Sequence, residues 1–288
     1  MKTNHAPKLR PRTTDRTAPS WADLLRAAVR DPGSILSAYR AFHEYSLGNQ
    51  LAAYEQCLSR GIAPGPLGTY RQWQARGRQV KRGEKALWLC VPRTVTARAP
   101  PTGEGAADDA AERPVERSFT VFSWKPQWFV LTQTDGDEFV LPSVPSWDRD
   151  QALAALDVAL IPFASLDGNV QGYAHGQSVA INPLAALPMK TLFHELGHVL
   201  LHQNDEASDD GAVLSRSLRE VEAEAVALLC CETLGLPGAE FARGYIQAWL
   251  GSSGDLPERS AQRILAAADR VIRAGTGGAI ASSDRTAA

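Results

Sequence analysis

Residues 194–198 read His-Glu-Leu-Gly-His, a spacing that places metal-binding side chains on one face of a helix. Residues four apart in an α-helix lie above one another, so His194 and His198 can hold one metal ion between them. Glu195 is close enough to act on a water molecule at that ion. Two imidazoles and a carboxylate at this spacing indicate a zinc hydrolase, because zinc acidifies water and a nearby base accepts the proton.

The residues around this motif predict a buried helix that carries it. Leu187-Pro188 is a suitable start, since proline is tolerated in the first helical turn. The stretch from Thr191 to Leu201 is otherwise mostly apolar. A buried polar side chain without a partner costs about 1–3 kcal/mol, and a bound metal supplies that partner. Neighbouring hydrogen bonds are the alternative way to satisfy these side chains.

A third ligand must come from elsewhere, because catalytic zinc sites use three protein ligands and keep one position for water. His202 is excluded as that ligand, since it lies eight residues beyond His194, about 12 Å further along the helix. We expect His202 to be a packed or surface residue near the site.

A second predicted helix, residues 215–234, supplies the better candidate. It contains three glutamates, of which Glu220 and Glu224 share a face, while Glu222 points away. We predict Glu220 as the third ligand and Glu224 as a hydrogen-bond acceptor for a ligating histidine. Glu222 is expected on a solvated acidic face. The small Ala223 lets this helix approach the first one.

Charge is distributed unevenly along the chain. Residues 1–98 hold 17 of the 30 Lys and Arg but only 6 of the 32 Asp and Glu, although the whole chain has a net charge of −2. A basic N-terminal part predicts a polyanionic partner, with nucleic acid the first choice.

Residues 70–85 combine cations with aromatic side chains. Such a surface can hold single-stranded DNA, because cations follow the phosphates while bases stack on aromatic rings. The predicted DNA-binding residues are Tyr70, Arg71, Trp73, Arg76, Arg78, Lys81, Arg82 and Lys85. The alternative is that Trp73 belongs to the core and the charges form a solvated face.

The pattern of helices and strands predicts an α+β fold in two domains. Helices are expected from Ser20 to about Arg30, then, after a break at Asp31-Pro32, through Phe42 and Tyr45, and from Asn49 to Arg60. Strands follow, and Asp255 with Glu258 is expected to cap a last helix. A turn at His175-Gly176 joins two short strands. The expected divisions are a disordered tail at 1–19, a DNA-binding domain at 20–142 with a mobile loop at 99–117, a metal-binding domain at 147–274 and a disordered tail at 275–288.

The four cysteines form no Cys-x-x-Cys pair and read as small buried residues of a protein in a reducing cytoplasm. No run of 18 apolar residues occurs, so no membrane partner is expected.

Six segments resemble the ArdC-type antirestriction family of mobile genetic elements. They are YSLGNQLAAYEQ (45–56), YRQWQARGRQVKRGEKA (70–86), TQTDG (132–136), GYAHGQSVAINP (172–183), PMKTLFHELGHVLLH (188–202) and REVEAEAVALLCCETLGL (219–236). Glu224 stands where many relatives have Asp, and the loop at 99–117 has no counterpart that we can place.

The resemblance implies an N-terminal domain that binds single-stranded DNA and a C-terminal zincin-like metallopeptidase domain. In similar metallopeptidases the first glutamate of the second helix is the third zinc ligand, which is Glu220 here. Glu195 would then accept a proton from the water that attacks a peptide bond. A host protein or a restriction component is a possible substrate. Two alternatives remain: an ImmA/IrrE-like peptidase that cleaves a regulatory protein, and a non-enzymatic DNA-binding protein with a structural zinc.

Overall fold

The computed structural model describes residues 19–98, 116–202, 215–253 and 255–277. The predicted tails therefore lie almost wholly outside the described residues. The N-terminal elements are α1 (Trp21–Arg30), α2 (Ser34–Phe42), α3 (Leu47–Ser59), β1 (Leu67–Thr69), α4 (Tyr70–Ala75), β2 (Arg78–Val80), β3 (Leu87–Arg98), β4 (Glu116–Val130) and β5 (Thr134–Gly136). The three predicted N-terminal helices are confirmed.

The N-terminal strands form two antiparallel sheets. The larger sheet has the order β1-β4-β3, and the smaller one pairs β2 with β5. β3 and β4 run side by side as an antiparallel pair, from Leu87 opposite Trp128 to Arg98 opposite Glu116. Most of the loop predicted at 99–117 lies outside the described residues, and its last two residues belong to β4.

Helix α3 closes the outer edge of this sheet with two amide side chains. Asn49 donates to the backbone carbonyl of Cys90 (2.9 Å) and accepts from its N–H (2.8 Å). Gln56 makes the same pair of bonds to Trp88, at 2.8 and 2.9 Å. Each amide therefore imitates a neighbouring strand, which protects an edge that would otherwise pair with another chain.

We expect Asn49→Ala to lower the free energy of unfolding by about 2–4 kcal/mol, because two hydrogen bonds to buried backbone are lost. Urea denaturation followed by circular dichroism measures the change. Glu55→Ala on the exposed face of the same helix is the control and should change stability by less than about 0.5 kcal/mol. A loss below about 1 kcal/mol for Asn49→Ala would show that the amide does not anchor the strand.

The C-terminal elements surround the His-Glu-Leu-Gly-His helix. They are α5 (Arg149–Leu156), β6 (Ala159–Leu160), β7 (Gly172–His175), β8 (Ser178–Ile181), α6 (Pro188–His202), α7 (Arg216–Leu234), α8 (Ala239–Ser253) and α9 (Glu258–Thr276). The strands form a sheet with the order β6-β8-β7, in which β7 is antiparallel to β8. The predicted hairpin around Gly176 and the two predicted site helices, α6 and α7, are confirmed.

One hydrophobic core joins the N-terminal helices to the C-terminal helices. Leu25 of α1, Ile35 of α2 and Leu51 of α3 belong to the same buried cluster as Leu196 of α6 and Ile264 of α9. A second, smaller cluster lies between α3 and the β1-β4-β3 sheet. The sequence segment between the two predicted domains therefore does not mark a break in the core.

Carboxylates from the C-terminal half cap the first turns of α1, α2 and α3. Glu258 accepts from the backbone N–H of Trp21 and Ala22 at 2.8 and 2.9 Å. Glu232 accepts from Ile35 N–H at 3.2 Å, and Asp269 accepts from Leu47 N–H at 2.8 Å. The prediction that Glu258 helps to cap its own helix is wrong, because its carboxylate is used by α1 instead.

Two further expectations concern the cysteines and the membrane. Cys57, Cys90, Cys230 and Cys231 are buried, as predicted. Among the residues that the structure describes, no helix is long and apolar enough to cross a bilayer.

Candidate metal centre and basic surface

Helices α6 and α7 bring three potential metal ligands together. The Nε2 atoms of His194 and His198 are 3.1 Å apart. The Oε2 atom of Glu220 lies 3.5 Å from the first and 3.7 Å from the second. The helices can approach this closely because a Cβ atom on Gly197 would lie 2.9 Å from Cα of Ala223.

These three atoms fit a tetrahedral metal ion. With metal–ligand bonds of about 2.1 Å, tetrahedral geometry separates the ligand atoms by about 3.4 Å. The observed distances of 3.1, 3.5 and 3.7 Å bracket that value. Within the described part of the chain, His194, His198 and Glu220 are the group of side chains that meets this requirement, and they leave a fourth position for water.

Glu195 is buried between the metal-binding helix and the sheet. Its side chain is 7% exposed, and the backbone N–H of Ala174 in β7 donates a hydrogen bond to it. Gly172 of the same strand has no room for a side chain, since a Cβ atom there would lie 2.6 Å from Cγ2 of Thr191, and it would also lie 3.3 Å from Cγ of Glu195. Burial raises the pKa of Glu195 above its ordinary value, while the charge of His194 opposes this rise.

The outer nitrogen of His194 contacts a carboxylate, and that carboxylate pairs with a lysine. His194 Nδ1 lies 2.9 Å from Oε2 of Glu224, and Oε1 of Glu224 lies 2.6 Å from Nζ of Lys190. Glu224 is thus at the position predicted for an acceptor that orients a ligating histidine.

The outer nitrogen of His198 is held by residues that were expected to play no part. Its Nδ1 lies 3.1 Å from Nδ1 of His202, and Nε2 of His202 lies 2.8 Å from Oε2 of Glu222. The expectation that Glu222 is solvated is wrong, because the side chain is fully buried where α6 covers α7. A signal was available in the sequence: Lys190, His194, His198 and His202 recur every four residues and therefore share one helix face.

The two ligand histidines titrate very differently in the metal-free protein. Burial by itself would lower the pKa of His194, but hydrogen bonds to Glu220 and Glu224 outweigh it and raise the pKa to about 9. Burial, together with the charge of His194, lowers the pKa of His198 to about 4. At neutral pH the proton of the cluster therefore resides on His194.

Metal binding at pH 7.5 is expected to release about one proton per ion, because His194 must be neutral to act as a ligand. Below pH 9 the apparent affinity should then rise by up to about tenfold per pH unit, and above pH 9 this dependence should flatten. Titration calorimetry with Zn²⁺ in buffers of different ionisation enthalpy measures the number of protons. An affinity that does not change between pH 6 and pH 8 would contradict the prediction.

The basic segment around α4 contains both exposed and structural residues. Tyr70 is 42% exposed, and Arg71, Arg82 and Lys85 are exposed. Lys81 is also exposed, but its ammonium group donates to the carbonyl of Thr132 at 3.0 Å and pairs with Asp135 at 3.5 Å.

Trp73, Arg76 and Arg78 have structural contacts. Trp73 is fully buried and its indole N–H donates to the carbonyl of Phe129, so the prediction that it stacks on DNA bases is wrong. The exposed Arg76 places its guanidinium 5.4 Å from the Trp73 ring. Arg78 is half-buried and donates to the side chain and the carbonyl of Thr134.

The Thr-Gln-Thr-Asp-Gly segment shapes the basic loop after β2. Gln133 is 2% exposed and donates to Glu84 and to the carbonyl of Lys85, at 2.7 and 3.1 Å. Its own carbonyl accepts from the backbone N–H of Lys81 at 2.9 Å. These bonds hold the loop that carries Lys81, Arg82 and Lys85 from one side, and Arg82 and Lys85 remain exposed.

Comparisons with known proteins agree with this arrangement. The family model for the N-terminal domain of anti-restriction factor ArdC matches residues 25–122, and the model for the IrrE N-terminal-like domain matches residues 154–241. The uncharacterized protein y4eC of Sinorhizobium fredii (strain NBRC 101917 / NGR234) is 26% identical over 248 residues, which are 78% of this chain and 74% of that protein.

Two solved structures are similar along most of the chain. The metal-free crystal structure of the antirestriction ArdC protein from R388 plasmid has a TM-score of 0.51 and 19% identity, over 90% of this chain and 98% of that one. The Mn(II)-bound crystal structure of that protein has a TM-score of 0.47 and 20% identity, over 90% and 99%. The chain therefore carries a domain of the ArdC N-terminal family at residues 25–122, followed by a domain of the IrrE N-terminal-like family at residues 154–241.

Proposed function

We propose that this chain is an antirestriction protein of a mobile genetic element that binds single-stranded DNA and cleaves a protein at a zinc site. The observation that carries the proposal is the triangle of His194, His198 and Glu220, with Glu195 buried beside it. Histidine nitrogens and a carboxylate suit zinc, and the spacing matches a tetrahedral ion. The cytoplasm, where both DNA and host proteins are available, is the proposed location.

The chemistry proposed for this site is peptide hydrolysis. A zinc ion, when bound, increases the acidity of water and polarises a carbonyl group. Glu195 accepts the proton of the attacking water and passes it to the leaving amine, and its raised pKa makes it a better base than an ordinary carboxylate. His194 and His198 are kept in orientation by their outer hydrogen bonds.

An extended segment of a protein chain is the substrate that suits this site. β7 is an edge strand of its sheet and lies directly against Glu195. A peptide that paired with this edge would pass beside the three ligands, with backbone hydrogen bonds aligning it regardless of its sequence.

A catalytic ion is favoured over a structural one by the number of ligands. Structural zinc sites are closed by four protein ligands and do not need a base. In the described ranges the cluster has three ligands, and Glu195 occupies the position of a base. This argument separates the proposed peptidase from a DNA-binding protein that uses zinc only for folding.

DNA binding is assigned to the exposed part of the basic segment. Arg71, Arg82 and Lys85 are exposed cations, and the Tyr70 ring is half-exposed among them. Cations that neutralise phosphates and a ring on which a base stacks would hold a single strand without sequence preference.

Replacing Arg71, Arg82 and Lys85 with Ala together is expected to weaken binding of a fluorescent oligo(dT) strand. Each lost phosphate contact should reduce the slope of log affinity against log salt by about 0.7, so a triple replacement reduces it by about 2. Fluorescence anisotropy across a salt series measures both quantities. The control removes three exposed arginines from the other half of the chain: Arg149, Arg259 and Arg270. Equal losses in the two variants would contradict a local DNA surface.

A further inference from the structure

A line of polar side chains runs along the contact between α6 and α7 and extends beyond the three proposed ligands. At one end Lys190 and Glu224 hold His194. At the other end His202 and Glu222 follow His198. The His202 side chain is 6% exposed and the Glu222 side chain 0% exposed, so neither serves to contact solvent. The proposed hydrolysis uses neither of these two residues.

Hydrogen-bond chemistry determines which atom donates in each contact of His202. A carboxylate oxygen accepts, so Nε2 of His202 donates to Oε2 of Glu222. In a neutral imidazole the other nitrogen then carries a lone pair, and Nδ1 of His202 accepts from Nδ1–H of His198. The lone pair of His198 is left on Nε2, the atom that faces Nε2 of His194.

We propose that His202 and Glu222 are positioning residues that hold His198 in the tautomer and ring orientation needed to bind the metal ion. This inference rests on the proposed metal site and adds to it a pair of residues outside the ligand set. Outer hydrogen-bond partners of this kind fix the orientation of ligating histidines. Here the partner of His198 is a second imidazole with a carboxylate behind it, whereas His194 contacts a carboxylate directly.

Packing alone does not explain why His202 and Glu222 occupy a buried position between α6 and α7. A glutamate and a histidine removed from water lose their hydration, and apolar residues of similar size would fill the same space without that loss. Both ring nitrogens of His202 have polar partners. Nδ1 lies 3.1 Å from Nδ1 of His198, and Nε2 lies 2.8 Å from Oε2 of Glu222.

Metal binding by the full chain tests the inference. We expect His202→Leu to weaken the binding of Zn²⁺ by about 10- to 100-fold in competition with a chromogenic chelator. The visible absorption spectrum of the Co²⁺-loaded protein should change as well, because the His198 ligand is no longer held in one orientation. His202→Gln should restore both properties to near wild type, since an amide can accept from His198 and donate to Glu222 at once.

A double-mutant cycle separates positioning from packing. If Glu222 acts through His202, then replacing both with Leu should weaken Zn²⁺ binding no more than His202→Leu alone. His43→Leu, at the end of α2, is the matched control and should leave metal binding unchanged. A cooperative thermal unfolding transition of each metal-free variant establishes that the variant is folded. If His202→Leu does not fold, the Zn²⁺ affinity of His202→Gln is the test.

The outcomes distinguish this inference from the proposed function. If wild type binds neither Zn²⁺ nor Co²⁺, the metal site itself is refuted. If wild type binds both and His202→Leu retains its affinity within threefold and its Co²⁺ spectrum, the positioning role is refuted while the metal site stands. Failure of His202→Gln to restore a lost affinity would likewise refute the hydrogen-bonding role.

Discussion

Replacing Glu195 with Gln is expected to reduce peptide cleavage by about 100- to 10,000-fold, the range contributed by a general base. The amide keeps the size of the side chain and can still accept from the backbone N–H of Ala174, but it cannot take a proton from water. Glu195 lies outside the group of three ligands, so zinc binding should remain close to wild type. This pattern of retained metal and lost turnover identifies a base.

A library of quenched fluorescent peptides measures this loss, and metal analysis of the purified protein accompanies it. Glu44→Gln, an exposed glutamate after α2, is the matched control and should cleave at the wild-type rate. A wild type that binds zinc but shows no cleavage dependent on Glu195 would favour a structural ion over the proposed peptidase.

Breaking the buried pair of Glu232 and Arg243 is expected to lower the free energy of unfolding by about 3–5 kcal/mol. Glu232 of α7 caps the first turn of α2, and its carboxylate contacts the guanidinium of Arg243 in α8. The same guanidinium donates to the carbonyls of Ala28 and Val29 at the end of α1. Either single replacement by Ala would leave a buried charge without its partner.

Urea denaturation of Glu232→Ala and Arg243→Ala measures this effect. Glu232→Leu combined with Arg243→Met is the informative comparison and should be less destabilised than either single variant, because no isolated charge remains buried. Single variants that lose less than about 1 kcal/mol would show that the pair does not join the two halves of the chain.

Local spacing was sufficient to predict the helix that carries two of the three proposed metal ligands. The positions of His194 and His198 on one face follow from the helical repeat, whatever the rest of the chain does. The predicted second helix was also correct, and its small Ala223 does lie against Gly197. The two helices could be predicted from the sequence because each one depends on residues only a few positions apart.

Spacing was not sufficient for side chains whose surroundings come from distant segments. Trp73 lies between charged residues in the sequence, yet it is completely buried against Gly68 of β1, Phe129 of β4 and the ring of Phe139. Arg78 was grouped with the exposed cations, but its guanidinium is used by Thr134, more than fifty residues away. An alternation of aromatic and basic residues does not specify which side of an element faces the core.

The sequence by itself determined the residue types of the proposed metal site, the helices that carry them and the basic character of the N-terminal part. The tertiary structure decided the use of individual carboxylates: Glu222 supports a histidine from inside the protein, and Glu258 caps a helix 236 residues earlier in the chain. The physical reason is that a carboxylate bonds to the donors that tertiary packing places beside it, and the helices that pack together are far apart in the sequence.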